Sequence, residues 1–133
     1  MLITKECEYG MRIIRALSSG ERHTVKEVAK SESIPESFAY KVVEKLKEAG
    51  YLENRRGRDG GIRLRHGLDN ITLFDVVAAI HPERYIFKCL RRIDDHPKES
   101  KKESCQFHTE FSRIQQMFDS ELKSRTIKDV LAV

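Results

Sequence analysis

Tryptophan is absent from these 133 residues, proline occurs only three times and glycine seven. So little proline and glycine argues against a collagen-like or linker-dominated chain and leaves room for uninterrupted helices. No apolar run approaches the ~20 residues a membrane-spanning helix needs. The first residues also lack the basic, apolar, small-residue order of a secretory signal. Both absences point to a cytoplasmic protein without a membrane partner, where three cysteines do not read as a disulfide framework. Catalytic signatures are missing as well. There is no Ser-His-Asp or Cys-His arrangement, no glycine-rich phosphate loop after a strand, and no carboxylate pair placed for a pocket, so the sequence does not read as an enzyme.

What is present is charge, unevenly placed. The net charge is +4, and all of it lies in residues 1–65, which hold fourteen Lys and Arg against ten Asp and Glu. Residues 66–133 hold eleven of each. A basic excess confined to one half is the electrostatic footprint of a nucleic-acid binder.

The hydrophobic pattern is helical almost throughout. Thr4 is placed to cap a first helix with Glu6 and Glu8 in its opening turn and Met11, Ile13, Ile14 and Leu17 inward, ending at Ser18-Ser19-Gly20. Thr24 and Glu27 form a capping box for a short second helix. Ser33 and Glu36 have the same spacing, with Pro35 in the first turn of a third helix. There Ala39, Val42, Val43 and Leu46 follow the i, i+3, i+4, i+7 rule, which sends Ser37, Tyr40, Lys41 and Glu44 outward, and Gly50 closes the helix. A capped short helix, a tight turn and a second helix with a polar outer face make a helix-turn-helix.

Ile62-Arg63-Leu64-Arg65 alternates as a half-buried strand should, and Asp59-Gly60-Gly61 before it is a hairpin signal. The hairpin is a wing whose tip carries Arg55, Arg56 and Arg58 beside glycines, Gly60 and Gly61, that permit close backbone approach. A solubility hairpin explains that crowding poorly; a DNA contact explains it well. Thr72 and Asp75 box a fourth helix with Leu73, Val76, Val77 and Ile80 inward, ending at His81-Pro82. Residues 91–105 hold one large apolar residue and read as a long polar loop. Phe107, Phe111, Ile114, Phe118 and Leu122, widened by Met117, then line one face of a helix of about five turns. The small N-terminal module offers little surface for that stripe, so a matching helix on a second subunit is its expected cover, as in a two-fold homodimer; packing within the chain is the alternative. Thr126 and Asp129 start a short closing helix.

The expected fold is therefore mainly α with a small β-wing: a winged helix-turn-helix over 1–80, a sensor loop over 81–105, and a dimerisation helix plus C-terminal helix over 106–133. The expected function is dimeric binding of double-stranded DNA. A winged helix used for protein contact is a minor alternative, which the basic wing disfavours.

Several segments resemble the Rrf2 family of winged-helix transcriptional regulators: Glu8-Tyr9-Gly10-Met11-Arg12, Thr24-Val25-Lys26-Glu27-Val28-Ala29, Lys45 to Leu52, Arg56 to Leu64, and Ile71 to Val77. They keep the family's order and spacing over residues 1–80. The resemblance implies a dimeric repressor that reads a pseudo-palindromic operator, with Ser37, Tyr40 and Lys41 contacting bases or phosphates and Arg55, Arg56 and Arg58 serving the wing. Many members carry Glu-Gln where this chain has Tyr40-Lys41, so base preference does not transfer; Lys41 reads as a phosphate contact.

Many members also carry three cysteines in the loop before the dimer helix, holding an iron–sulfur cluster that senses iron, redox state or nitric oxide. Here only Cys89 and Cys105 flank that region, Cys105-x-x-His108 matches a family ending, and Glu8 aligns with a carboxylate that some members supply from the opposite subunit. His96 and Cys7 are further, weaker candidates. Two cysteines and a histidine favour a 2Fe-2S over a 4Fe-4S cluster, since histidine replaces thiolate on one iron of some two-iron centres. Two alternatives stay open. Cys89, His96, Cys105 and His108 make a zinc set, though with unfamiliar spacing, and Cys89 with Cys105 makes a metal-free thiol–disulfide pair.

Overall fold

The computed structural model describes residues 3–83, 85–90 and 105–132. Its elements run α1 (Lys5–Ala16), α2 (Val25–Ser31), α3 (Glu36–Glu48), β1 (Leu52–Arg55), β2 (Gly61–Leu64), α4 (Leu73–Ile80), α5 (Gln106–Lys123) and α6 (Ile127–Leu131), with 3-10 turns at Leu68–Asn70 and Lys88–Leu90. The result is mainly helical with a two-stranded wing, as the sequence pattern anticipates.

Three helix starts follow the capping-box rule. Thr24, Thr72 and Thr126 each accept a hydrogen bond from the amide three residues on, while Glu27, Asp75 and Asp129 accept one back from the threonine amide. Each box satisfies two N–H groups that a helix start otherwise leaves without partners. Two expected starts differ. Thr4 stands at the N-cap of α1, but its hydroxyl donates to Cys7 Sγ at 3.6 Å rather than accepting from the helix. Ser33 belongs to the end of α2. It sits at φ +53, its amide donates to Lys30 O at 3.3 Å, and the Ile34 amide reaches back to Ala29 O at 2.9 Å. That pair of bonds is a Schellman closure, which commits Ser33 to stopping one helix and leaves Pro35 as the N-cap of the next. The turn between α2 and α3 is thus built by a helix end, and the Ser33–Glu36 box does not form.

The core lies where α1, α3 and α4 meet: Ile13, Ile14, Leu17, Val42, Leu46, Val76, Val77 and Ile80 are almost wholly buried. Gly10 lets α1 approach α4 closely: a Cβ there would stand 2.1 Å from Ile80 Cδ1, so the Ile80 side chain would have to shift. The wing is antiparallel, pairing Leu52 with Leu64 and Arg55 with Gly61. His23 extends it by a single bridge, exchanging both backbone bonds with Ile62 at 3.0 and 2.7 Å, so the segment before α2 becomes a third edge.

α5 lies along α4, and α6 folds back onto the N-terminal module. The Ile127 amide donates to Ile71 O at 2.7 Å and the Ile127 side chain joins the core. Among the described residues no helix is long and apolar enough to cross a membrane.

Candidate functional site

α3 presents Ser37, Tyr40, Lys41 and Glu44 on its exposed side, opposite the buried Ala39, Val42, Val43 and Leu46. Gly50 closes the helix as expected, its own amide bonding Lys47 O and the next amide bonding Leu46 O. Chain direction therefore reverses at once into β1, which places the wing beside the helix that precedes it.

The wing sorts its cations by position. Arg63, in mid-strand, is paired with Glu53 on the opposing strand. Arg22 donates to Gly61 O at 2.8 Å and to Glu53 at 3.3 Å, pinning the wing to the segment before α2. These two guanidiniums, Arg63 first, hold the Glu53 carboxyl below its ordinary range. Arg55, Arg56 and Arg58 are different. All three are exposed, and none is held by a carboxylate among the described residues. The base of the wing is internally neutralised while its tip keeps its charge.

Gly60 and Gly61 answer first to the wing's own geometry. A Cβ on Gly60 would lie 2.4 Å from Arg55 O, and one on Gly61, at φ +130, would lie 2.4 Å from His23 O. Both positions require glycine whether or not DNA is present.

Lys41 is engaged within the chain. Its ammonium donates to Glu6 Oε1 at 2.9 Å, while Lys45 donates to Glu6 Oε2 at 2.8 Å and to Ile80 O at 3.2 Å. Hydrogen bonds from Lys45 and then Lys41 keep the Glu6 carboxyl below its usual range. Sequence reasoning assigned Glu6 only to the helix dipole and missed Arg22 entirely. Both contacts join residues more than thirty positions apart, and no local pattern signals them.

The remaining candidates sit elsewhere. Cys7 is fully buried in the core, a setting in which cysteine serves as a small hydrophobe. Glu8 is exposed on α1. Cys89 lies in the second 3-10 turn and Cys105 is the N-cap of α5, both partly exposed. His108, in the first turn of α5, has a buried Nδ1 with no hydrogen-bond partner among the described residues, and it borders a hollow of about 390 Å³ shared with Leu90, Ser112 and Gln115. His96 falls in residues 91–104, outside the described residues. The orphaned imidazole nitrogen and the two thiols are a donor set chemically suited to a mixed Cys/His iron–sulfur centre. Among the described residues no three of His, Cys, Asp or Glu converge on one point, so a complete ligand set has to draw on something more.

The α5 stripe divides. Phe111 stacks on Phe87 with centroids 3.7 Å apart, and Phe118 packs against the core, while Ile114 and Leu122 are half-buried. Phe107 is 74% and Met117 61% exposed. Part of the stripe is thus covered by its own chain, and part faces out.

Comparison with known proteins decides the family. The model of Rrf2, described as an iron-dependent transcriptional regulator, matches residues 3–133. The chain belongs to the Rrf2 family. Rrf2 proteins are DNA-binding transcriptional regulators, not enzymes, and typically dimerise. Among relatives, Protein aau3 of Rhizobium meliloti is 30% identical over 98% of this chain and 85% of its own length. The HTH-type transcriptional regulator NsrR of Bacillus subtilis is 33% identical over 67% of this chain but only 63% of its own. The structure of CymR, the global cysteine regulator of B. subtilis, superposes with a TM-score of 0.73 at 22% identity, covering 99% of this chain and 97% of that one. T. potens IscR gives 0.71 at 17% identity, over 99% and 87%. At such identities these neighbours establish the winged-helix fold of an Rrf2 protein and nothing finer.

Proposed function

We propose that this Rrf2 protein is a cytoplasmic homodimeric repressor that reads a pseudo-palindromic operator and senses iron, redox state or nitric oxide through a 2Fe-2S cluster. For the DNA half, the supporting observation is the contrast within the wing: among the described residues Arg55, Arg56 and Arg58 stay unpaired while Arg22 and Arg63 are neutralised by the fold. Cations left without internal partners on an exposed tip are the groups that phosphates attract. α3 would enter the major groove with Ser37 and Tyr40 against bases and Lys41 within reach of a phosphate, and two copies would meet half-sites about one helical turn apart. Gly60 and Gly61 keep the tip narrow enough for the backbone to approach the groove. Phe107 and Met117, the exposed part of the α5 stripe, would form the two-fold interface with the half-buried Ile114 and Leu122 beside them, while Phe111 and Phe118 hold the helix to its own chain.

For the sensor half, the support is the orphaned Nδ1 of His108 close in sequence to Cys105. Cys89, Cys105 and His108 would hold the cluster, completed by Glu8 of a second subunit or by His96. When bound, such a group supplies redox-active, nitric-oxide-reactive iron. Cys89 belongs to the turn before the 91–104 segment and Cys105 caps α5, so whatever joins the two thiols ties that turn to the start of the dimer helix. A second reading has its own observation. No three donors converge among the described residues, whereas two thiols suffice for a metal-free sensor in which a disulfide forms and two electrons pass to an oxidant.

The test is anaerobic purification, a visible spectrum, and iron and sulfide analysis. A brown protein with stoichiometric iron and sulfide, lost in Cys89→Ser or Cys105→Ser, supports the cluster. A colourless protein whose DNA affinity shifts with thiol oxidation supports the second reading.

A further inference from the structure

The recognition helix meets its environment with one of its cations already occupied. Lys41 lies on the exposed face of α3, its side chain 57% accessible, and its ammonium is bonded to Glu6 in the first turn of α1. The other Glu6 oxygen is held by Lys45, which is only 32% accessible and is fixed in addition by the carbonyl of Ile80. The two lysines therefore play different parts. Lys45 is an inner anchor that keeps the carboxylate in place; Lys41 is an outer, exchangeable partner. The pair borders an open hollow of about 710 Å³ between the start of α1, α3 and the end of α4, so neither ammonium is sealed from an approaching anion.

We propose that Glu6 limits and sharpens DNA binding by standing in for a phosphate: it holds Lys41 in an internal pair that a duplex must break to recruit that cation. The inference rests on the reading that α3 faces DNA. An internal competitor subtracts from phosphate binding, which is the whole of the affinity for non-operator DNA and only part of the affinity for an operator. Its removal therefore raises non-specific binding by a larger factor than operator binding.

The experiment compares the full-length wild type with Glu6→Gln and Glu21→Gln on a random-sequence duplex across a salt series. Glu21 is exposed between α1 and α2, so its replacement makes the same change in net charge without touching Lys41. Glu6→Gln is expected to bind roughly two- to fivefold more tightly per protomer, the range for one exposed ion pair. Its slope of log affinity against log salt steepens by about 0.9 for each Lys41 recruited. Lys41→Gln alone costs little in the wild type but removes the gain in the Glu6→Gln background. Glu6→Gln behaving like Glu21→Gln, or Lys41→Gln costing the same in both backgrounds, would overturn the proposal. Should Glu6→Gln fail to fold, Lys41→Gln in the wild type decides: a small change in slope supports the clamp, and loss of a full phosphate's share refutes it. Arg56→Ala/Arg58→Ala, measured alongside, separates the failures. If the wing variant flattens the salt slope and Glu6→Gln does not change it, the DNA-binding reading stands and the clamp falls; if neither variant matters, both fall.

Discussion

The N-terminal module and α5 are built from the same kinds of residue, yet they finish folding in different ways. Residues of α1, α3 and α4 bury their apolar faces against one another until almost nothing of Ile13, Leu46 or Val77 remains accessible. α5 has a comparable stripe, and the only one of its residues fully buried is polar: Gln115, whose carbonyl accepts from the Ile86 amide at 2.8 Å and whose amide donates to Asp119 at 2.9 Å. A closed module needs no second copy in order to fold. A helix held to its own chain by Phe118, by the Phe87–Phe111 stack and by the α6 clasp still exposes Phe107 and Met117, the face that the proposed two-fold interface would cover.

Mutation should separate the two regions most sharply in the core. Leu46→Ala is expected to lower the unfolding free energy by about 2–5 kcal/mol, the range for a large side chain removed from a closed core, measured by denaturant unfolding. A drop of less than about 1 kcal/mol, well under that range, would mean that α3 is less tightly held than its burial suggests. Phe107→Glu with Met117→Glu should do the converse. Secondary structure stays intact, and the dimer dissociation constant rises by at least about tenfold, as it does when central interface anchors are removed; unaltered association would place the two-fold interface elsewhere.

The same division decides what was legible in advance. Capping boxes at Thr24, Thr72 and Thr126, the inward face of α3 and the hairpin at Asp59-Gly60-Gly61 are local, so spacing alone places them. Ser33 shows where local reading misleads: the same Ser-x-x-Glu spacing fits a helix start, but competition from the end of α2 takes the residue first. Glu6 with Lys41 and Arg22 with Gly61 were invisible because only tertiary packing brings them together. The arginines of the wing tip were legible as charge; that they stay unpaired while their neighbours do not is something only the fold reveals.

Smaller effects test the wing itself. Arg56→Ala with Arg58→Ala should weaken binding to every duplex and flatten its salt dependence by about 0.9 for each phosphate that is no longer neutralised, read by fluorescence anisotropy; a slope that does not move would remove the tip from the interface. Glu53 gives the mildest prediction. Arg63 and Arg22 depress its carboxyl, so its contribution is present at neutral pH and disappears as pH falls through and below the ordinary carboxylate range, about 4. Thermal melts of Glu53→Gln should lie below wild type at neutral pH and merge with it in acid; a gap that persists at low pH would assign the residue a role other than charge.

On this reading one chain completes its DNA-reading module while α5 waits for a second copy. Sedimentation equilibrium at micromolar concentration distinguishes a dimer from a monomer. The expected result is a single species of twice the 15.5 kDa chain mass, reduced to a folded monomer by Phe107→Glu with Met117→Glu. A wild-type protein that sediments as a monomer and still binds duplex DNA at full affinity would contradict it.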